Sequence, residues 1–371
     1  MMALLVHFSR RGDSDGAAYM APRISAKRGL PMLGFSLFVT RSTMMVPSYM
    51  PSIQKYVIRQ VLPQALTLSR DSSMALRKIG FVGLGNMGYG MARNVARTAL
   101  VSAFDGDVAI GPKLAAEVGQ VEAAADVAGA ARGADAVVTS LPSNDAVRAV
   151  YLGPGGVLEA LAAGSACVDT STVDPAVSRE VAAAAAAKNI TFLDAPVSGG
   201  VPAADAGTLT FMVGGDAADV EAARPLLESM GARVIHCGGV GAGGVAKLCN
   251  NLVLAISMLG VSEATNLGDR LGVSPAALNE VLSTSTARCW SCDTYHPAPG
   301  VTEASPANRD YAGGFAAKLM RKDLGLAAGA AAPVAAEIPL GSAALAFYDA
   351  LCEGGYADKD FSVAFKYLRE K

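Results

Sequence analysis

The chain has 371 residues, 51% of them apolar, with 31 basic and 33 acidic side chains and a formal net charge of −2. That length supports more than one hydrophobic core, so two folded domains are expected. Nine of the basic residues but only two of the acids lie in residues 1–70, which leaves the remainder at −9 without a basic patch and excludes nucleic acid as a partner.

In the first 70 residues Arg10, Arg11, Arg23, Lys27, Arg28, Arg41, Lys55, Arg59 and Arg70 are opposed only by Asp13 and Asp15, among frequent Ser and Met. "IQKYVIRQVL" (53–62) segregates basic from apolar residues when wound as a helix. Arginine-rich, serine-containing, acid-poor and amphipathic describes an organelle import peptide. Residues 1–73 are read as a targeting or disordered leader, excluded from the fold, and the protein as mitochondrial (matrix). An unstructured tail, or a start at Met44, Met45, Met50 or Met74, fits the same composition. The apolar runs at 30–40 and 252–261 are shorter than a bilayer requires, so no membrane partner is expected.

From residue 78 short apolar strands alternate with helical stretches. They are "KIGFVG" (78–83), a helix to about 98, "LVSAFD" (100–105), "ADAVVTSLP" (134–142), "SACVDTS" (165–171), "ITFLDAP" (190–196), "LTFMVGG" (209–215) and "RVIHCG" (233–238). This pattern predicts βαβ units, hence an α/β Rossmann-type, doubly wound, mostly parallel sheet over 74–239. After "GGVGAGG" (238–244) the periodicity turns helical. Residues 245–272 contain only Gly260 and Gly268 as breakers, and helical stretches follow at 274–283, 316–332 and 339–355. "SPAALNE" (274–280) carries the Ser–Pro opening of a helix. Residues 240–371 are expected to form an all-α domain entered by one long interdomain helix.

The turn "GLGNMG" (83–88) follows a strand and opens a helix. Gly83 permits the tight turn, Gly85 lets a pyrophosphate approach the backbone, and Gly88 lets helix and strand pack closely. Leu84, Asn86 and Met87 complete a cradle whose free N–H groups favour phosphate. Asp105, 22 residues after Gly83, ends the next strand. A carboxylate there accepts from both ribose hydroxyls and repels a 2′-phosphate, so the expected cofactor is NAD. Leu141 and Pro142 are expected to wall the cofactor, and Ser171 and Thr172 to offer hydroxyls near the nicotinamide. Ser198, Gly199 and Gly200 present a hydroxyl and consecutive N–H groups suited to a carboxylate.

Lys247 lies in the apolar run "VAKLCNNLVLAI", with Asn251 four residues on and on the same face. A partly desolvated lysine has a lowered pKa and can take a proton from a hydroxyl. The same spacing fits a lysine snorkelling from a helix end. Of six cysteines, Cys289 and Cys292 form a C-x-x-C with His296 four residues on. A zinc site wants a fourth ligand at matching spacing, and a thioredoxin-like pair wants a strand-to-helix turn. No metal is expected, and redox sensing by the pair is a separate reading.

"GFVGLGNMGYGMARN", "DAPVSGGVPAADAGTLTFMVGG", "GAGGVAKLCNNLVLAISMLGVSEA" and "LMRKDLGLA" resemble the β-hydroxyacid dehydrogenases, whose fold is similar to 6-phosphogluconate dehydrogenase. The resemblance spans about residues 77–371. "CWSCDTYHPAPGV" and "GGYADKDFSVAFKYLRE" look most like the mitochondrial 3-hydroxyisobutyrate dehydrogenases of valine breakdown. It implies that Lys247 is the catalytic lysine and Asn251 its partner, and that Ser198, Gly199 and Gly200 hold the substrate carboxylate. It implies that Lys322, with Asp323 beside it, lies near cofactor and substrate, that Phe315 lines the same pocket, and that Thr172 contacts the nicotinamide side. It further implies a homodimer or homotetramer joined through the helical domain. The implied activity is NAD-dependent oxidation of a small hydroxy acid, 3-hydroxyisobutyrate to methylmalonate semialdehyde. Two alternatives are a related semialdehyde or glyoxylate reductase and a non-catalytic NAD-binding interaction protein. The loop after Pro142 and the C-x-x-C depart from the family pattern, so Asn144 and Ala146 receive no role.

Overall fold

The computed structural model of the chain describes residues 3–12, 18–27 and 78–371. Within residues 1–72, Ala3–Gly12 (β1) and Ala18–Lys27 (β2) pair antiparallel, Ala3 opposite Lys27 and Gly12 opposite Ala18. The stretch 53–62, read as an amphipathic import helix, and the apolar run 30–40 lie outside the described residues.

Residues 73–371 form one compact unit. Its chain runs β3 (Lys78–Val82), α1 (Gly88–Val95), β4 (Leu100–Phe104), α2 (Ile110–Glu117), β5 (Val121–Ala123), α3 (Val127–Ala131), β6 (Ala136–Thr139), α4 (Asn144–Leu152) and α5 (Val157–Ala160). It continues through β7 (Ala166–Asp169), α6 (Pro175–Ala187), β8 (Thr191–Asp194), β9 (Val197–Ser198), α7 (Gly200–Ala206), β10 (Leu209–Gly214), α8 (Ala217–Glu228) and β11 (Gly231–Gly238). The sheet order is β11-β10-β8-β7-β6-β3-β4-β5, with β9 beside β10. Strands β3 to β8 pair parallel; β10 turns antiparallel to β8 and β9. Buried on both faces, the parallel strands read as continuous apolar runs, which is why they were visible in sequence. Ile79, Phe81, Met91, Val101, Leu193 and Phe211 fill one face, and Val137, Val147, Tyr151, Cys167 and Phe192 the other. Strand order reverses between β3 and β6, and ligands in such sheets bind beyond the strand ends at that point.

Local chemistry sets the helix starts. Asp126, Ser143 and Asp174 accept backbone N–H groups at the openings of α3, α4 and α6, and Pro175 occupies the first turn of α6. After the sheet come α9 (Ala242–Arg270), α10 (Pro275–Thr284), α11 (Trp290–Asp293), α12 (Ala317–Ala331), α13 (Pro339–Leu351) and α14 (Ala364–Glu370). Ser274 caps α10 by accepting from the Ala277 N–H, as its Ser–Pro opening predicts. Helix α9 packs against α12, α13, α14 and β10. Ala255, Met258, Met320, Leu324, Tyr348, Leu351 and Phe361 form the helical core.

One expectation is corrected. Helix α9 has 29 residues and contains an 18-residue window of mean hydropathy 1.5, which is long and apolar enough to cross a membrane by length and composition. The run 252–261 lies inside this helix, which Gly260 and Gly268 do not break. A third of that window is buried, and the buried residues of the helix include Lys247, Asn251, Ser262 and Thr265.

Candidate active site

The glycine turn is built as its sequence requires. Gly83 has φ +94°, and a Cβ there would overlap the Ser140 carbonyl; a Cβ on Gly88 would overlap the Gly83 carbonyl. Gly85 is different: it is exposed, and a Cβ there would meet no protein atom within 4 Å. Helix α1 opens without a side-chain cap that would compete with an anion there, although the Tyr89 N–H is already taken by the Gly85 carbonyl at 3.0 Å. Asn86 is exposed and Met87 half-buried at this opening, while Leu84 is buried.

Asp105 does more than sequence spacing indicates. Its Oδ2 accepts from the Leu84 N–H at 2.6 Å and its Oδ1 from the Asp107 N–H at 2.8 Å. The carboxylate therefore braces the glycine turn from the neighbouring strand. It retains lone pairs for ribose hydroxyls, since a carboxylate accepts about four hydrogen bonds. An open glycine cradle, uncapped N–H donors and a fixed carboxylate fit a dinucleotide without a 2′-phosphate.

The loops after β6 and β7 are locked together. Ser171 Oγ accepts from the Leu141 N–H at 2.8 Å and donates to Asp169 Oδ1 at 2.5 Å. Thr139 Oγ1 donates to the same oxygen at 2.7 Å and pairs with Tyr151 Oη at 2.8 Å. Asp169 is buried and its Oδ2 has no hydrogen-bond partner. Burial pushes its carboxyl above the usual range, and the Ser171 and Thr139 donors pull it back. The Ser171 hydroxyl is thus engaged in holding Leu141, whereas Pro142 is exposed and Thr172 half-buried.

Lys247 stands one turn into α9, whose start is stapled to the sheet. Asp194, the last residue of β8, accepts from the Gly241 N–H at 2.7 Å and the Gly244 N–H at 2.9 Å. Gly243 lies so close to the Met212 and Asp194 carbonyls that a side chain there would overlap them. Lys247 is 9% exposed and donates to Asn251 Oδ1 at 3.1 Å. Asn251 Nδ2 donates to Asp323 Oδ2 at 2.6 Å, and Lys322 Nζ lies 3.5 Å from Asp323 Oδ1. Burial lowers the Lys247 pKa below the ordinary lysine value; the Asp323 carboxylate opposes this and the Lys322 charge adds to it. Burial likewise raises Asp323, against the pull of Lys322 and Lys247.

Lys322 joins the two halves of the unit by donating to the Thr172 carbonyl at 2.8 Å and the Pro142 carbonyl at 3.4 Å. Lys247, Asn251, Asp323, Lys322, Thr172 and Pro142 therefore form one run of polar contacts. Phe315 and Ser198–Gly200 are placed by other contacts. The Phe315 N–H donates to Asp360 Oδ2 at 2.7 Å, and its ring meets Phe361 edge-on. Ser198 pairs with Thr210 across β9 and β10, and Gly199 and Gly200 are exposed with φ of 138° and 71°. Sequence reasoning missed Asp169, Asp194 and Thr139. The signal was present for the two acids: each ends an apolar strand, where a carboxylate meets the next loop's N–H groups.

Two family models match, each over one architectural half. The NAD binding domain of 6-phosphogluconate dehydrogenase matches residues 78–239. The NAD-binding domain of NADP-dependent 3-hydroxyisobutyrate dehydrogenase matches 241–368. Mitochondrial 3-hydroxyisobutyrate dehydrogenase of Mus musculus is 47% identical over 297 residues, covering 79% of this chain and 87% of that one. The Homo sapiens protein of the same name is 44% identical over 322 residues, covering 85% and 95%. A solved Mycobacterium tuberculosis 3-hydroxyisobutyrate dehydrogenase with L-serine is 42% identical, with TM-score 0.74 over 79% of this chain and 99% of that one. With both halves matched and its relatives aligned over nearly their full length, the chain belongs to the β-hydroxyacid dehydrogenase family, and it is an NAD-dependent oxidoreductase.

Proposed function

We propose that the protein oxidises the primary alcohol of 3-hydroxyisobutyrate to the aldehyde of methylmalonate semialdehyde, in the mitochondrial matrix. The observation that carries this reading is a buried, pKa-lowered lysine tied through Asn251, Asp323 and Lys322 to the loops at the dinucleotide end of the sheet. The relatives named for this substrate and compartment support it, as does L-serine in the mycobacterial structure, since L-serine carries the same β-hydroxy carboxylate skeleton.

Bound NAD supplies the hydride-accepting ring carbon. The substrate carboxylate rests on the exposed N–H groups of Gly199 and Gly200 and the Ser198 hydroxyl. Neutral Lys247 keeps one N–H on Asn251 and turns its lone pair to the substrate hydroxyl, whose proton it takes as hydride leaves the same carbon. Asn251 has one amide N–H left to orient that hydroxyl, the other being held by Asp323. Phe315 closes the apolar side of the pocket. Asp105 selects NAD by facing the ribose with a carboxylate.

We assign the sheet half, 74–239, to cofactor binding and 240–371 to substrate binding and self-association, with 1–73 a mitochondrial leader. The homodimer or homotetramer reading is supported by the outer face of α9 and its sequel, where Val253 is 65% and Leu271 74% exposed. The test is a substrate panel on protein starting at Met74, with NAD and NADP. Preferred turnover of 3-hydroxyisobutyrate with NAD is expected. Preference for glyoxylate or succinic semialdehyde with NADPH overturns the assignment in favour of a related reductase.

A further inference from the structure

Cys289 and Cys292 belong to none of the machinery above. Cys289 is half-buried in extended backbone (φ −154°, ψ 170°) immediately before α11, and Cys292, within that single-turn helix, is fully buried. The pair therefore stands at an extended-to-helix turn, which its sequence context did not reveal. Their sulfurs lie 3.7 Å apart. A disulfide requires about 2 Å, so the remaining gap is a side-chain-scale displacement.

The two thiols differ. Burial and the neighbouring Cys289 push the Cys292 thiol up to about 12, which keeps it protonated, while the more accessible Cys289 meets solvent first. Metal binding lacks ligands: among the described residues no three His, Cys, Asp or Glu side chains are grouped to hold an ion. His296 is buried, with Nδ1 accepting from the Ala298 N–H at 3.1 Å.

We propose that Cys289 and Cys292 are a peroxide-oxidisable dithiol that closes to an intramolecular disulfide. The Cys289 thiolate attacks one oxygen of hydrogen peroxide; an S–O bond forms, the O–O bond breaks, and hydroxide leaves to become water. The Cys292 sulfur then attacks Cys289; the S–S bond forms, the S–O bond breaks, and a second water carries off the Cys292 proton. Two thiols lose two electrons and two protons, and peroxide is reduced to two waters.

The site carries its own reporter. Trp290, the only tryptophan in the chain, lies between the two cysteines, 46% exposed, and stacks on Tyr295 at 4.6 Å and 22°. Tyr295 donates to Asp360 at 2.9 Å, the carboxylate that also receives the Phe315 N–H. Closing the disulfide thus alters the surroundings of an indole whose stack leads toward the Phe315 loop.

The test treats the full chain with stoichiometric hydrogen peroxide and reads peptide mass and tryptophan emission together. The peptide holding Cys289 and Cys292 is expected to lose two hydrogens, emission to change in step, and dithiothreitol to reverse both. In Cys292→Ser, Cys289 stops one step earlier, gaining a single oxygen; in the double Cys→Ser variant neither signal moves. Oxidation of the exposed Cys249 while the 289–292 pair stays reduced overturns the proposal, as does an undiminished emission change in the double variant.

Discussion

Lys322 donates through Nζ to the carbonyl oxygen of Thr172, although 150 residues separate them in the chain. This bond, with its weaker companion to Pro142, ties helix α12 to the two loops beyond β6 and β7. Lys322→Met keeps the aliphatic stem and removes the donors. A hydrogen bond from a charged group contributes about 1.5–3 kcal/mol; since this lysine is partly exposed, kcat/KM for NAD is expected to fall about tenfold, at the lower end of that range. Steady-state kinetics at varied NAD checks this, and an unchanged value would separate the tie from the cofactor site.

Lys247→Ala is expected to lower turnover by about 10²–10⁴ while NAD still binds, because the proton acceptor is lost and the cradle is untouched. Stopped-flow hydride transfer alongside NAD titration distinguishes the two effects. Wild-type activity in that variant removes Lys247 from the chemistry.

The pH profile probes the same lysine through its neighbour. Lys247 must be neutral to accept a proton, so alcohol oxidation rises as it deprotonates, with a midpoint below the ordinary lysine value of about 10.4. The Asp323 carboxylate favours the charged ammonium, so Asp323→Asn removes a raising influence and the midpoint moves to lower pH. A midpoint that moves up, or does not move, contradicts this coupling.

Asp194 is expected to matter for stability beyond an ordinary surface acid. Its carboxylate satisfies two N–H groups at the start of α9. Asp194→Ala leaves both unpartnered and should cost about 2–4 kcal/mol in urea unfolding. Asp194→Asn keeps one acceptor and should recover part of that loss. Equal stabilities for the two variants would argue that helix docking rests on the Gly243 contact instead.

His296 should give the unfolding free energy an acid slope. Burial lowers its pKa to about 4, from an ordinary value near 6.5. Below the ordinary value the unfolded chain binds a proton that the folded one refuses, so stability present at pH 7 is lost as pH falls from about 6.5 to about 4. The loss amounts to about 3 kcal/mol. Comparing His296→Gln with the parent across that window isolates the contribution; parallel curves would assign the slope to other groups.

Much of this molecule is readable in its sequence because its signals are local. The glycine turn, the strand spacing and the apolar run around Lys247 each follow from a few consecutive residues. What escaped were carboxylates whose partners are distant in the chain. Asp194 accepts from Gly241 and Gly244, 47 and 50 residues on. Asp169 takes Thr139, 30 residues earlier. Asp323 gives no sign in sequence of the bond it accepts from Asn251, 72 residues back. Ser171 offers a hydroxyl in sequence that the fold engages within a loop lock. The short edge strand β5 and the two-residue β9 carry too few residues for periodicity to register. The run 252–261 is short by itself, yet it lies within a helix of 29 residues, so its length alone understates the apolar stretch around it.

The brace between Asp105 and the Leu84 N–H bears on how nucleotide preference can be re-engineered or drift. The side chain proposed to screen the incoming ribose also shapes the glycine turn. Exchanging it for arginine to admit a phosphorylated nucleotide would therefore also loosen the receiving loop. A successful switch needs a second change that gives the Leu84 amide a new acceptor.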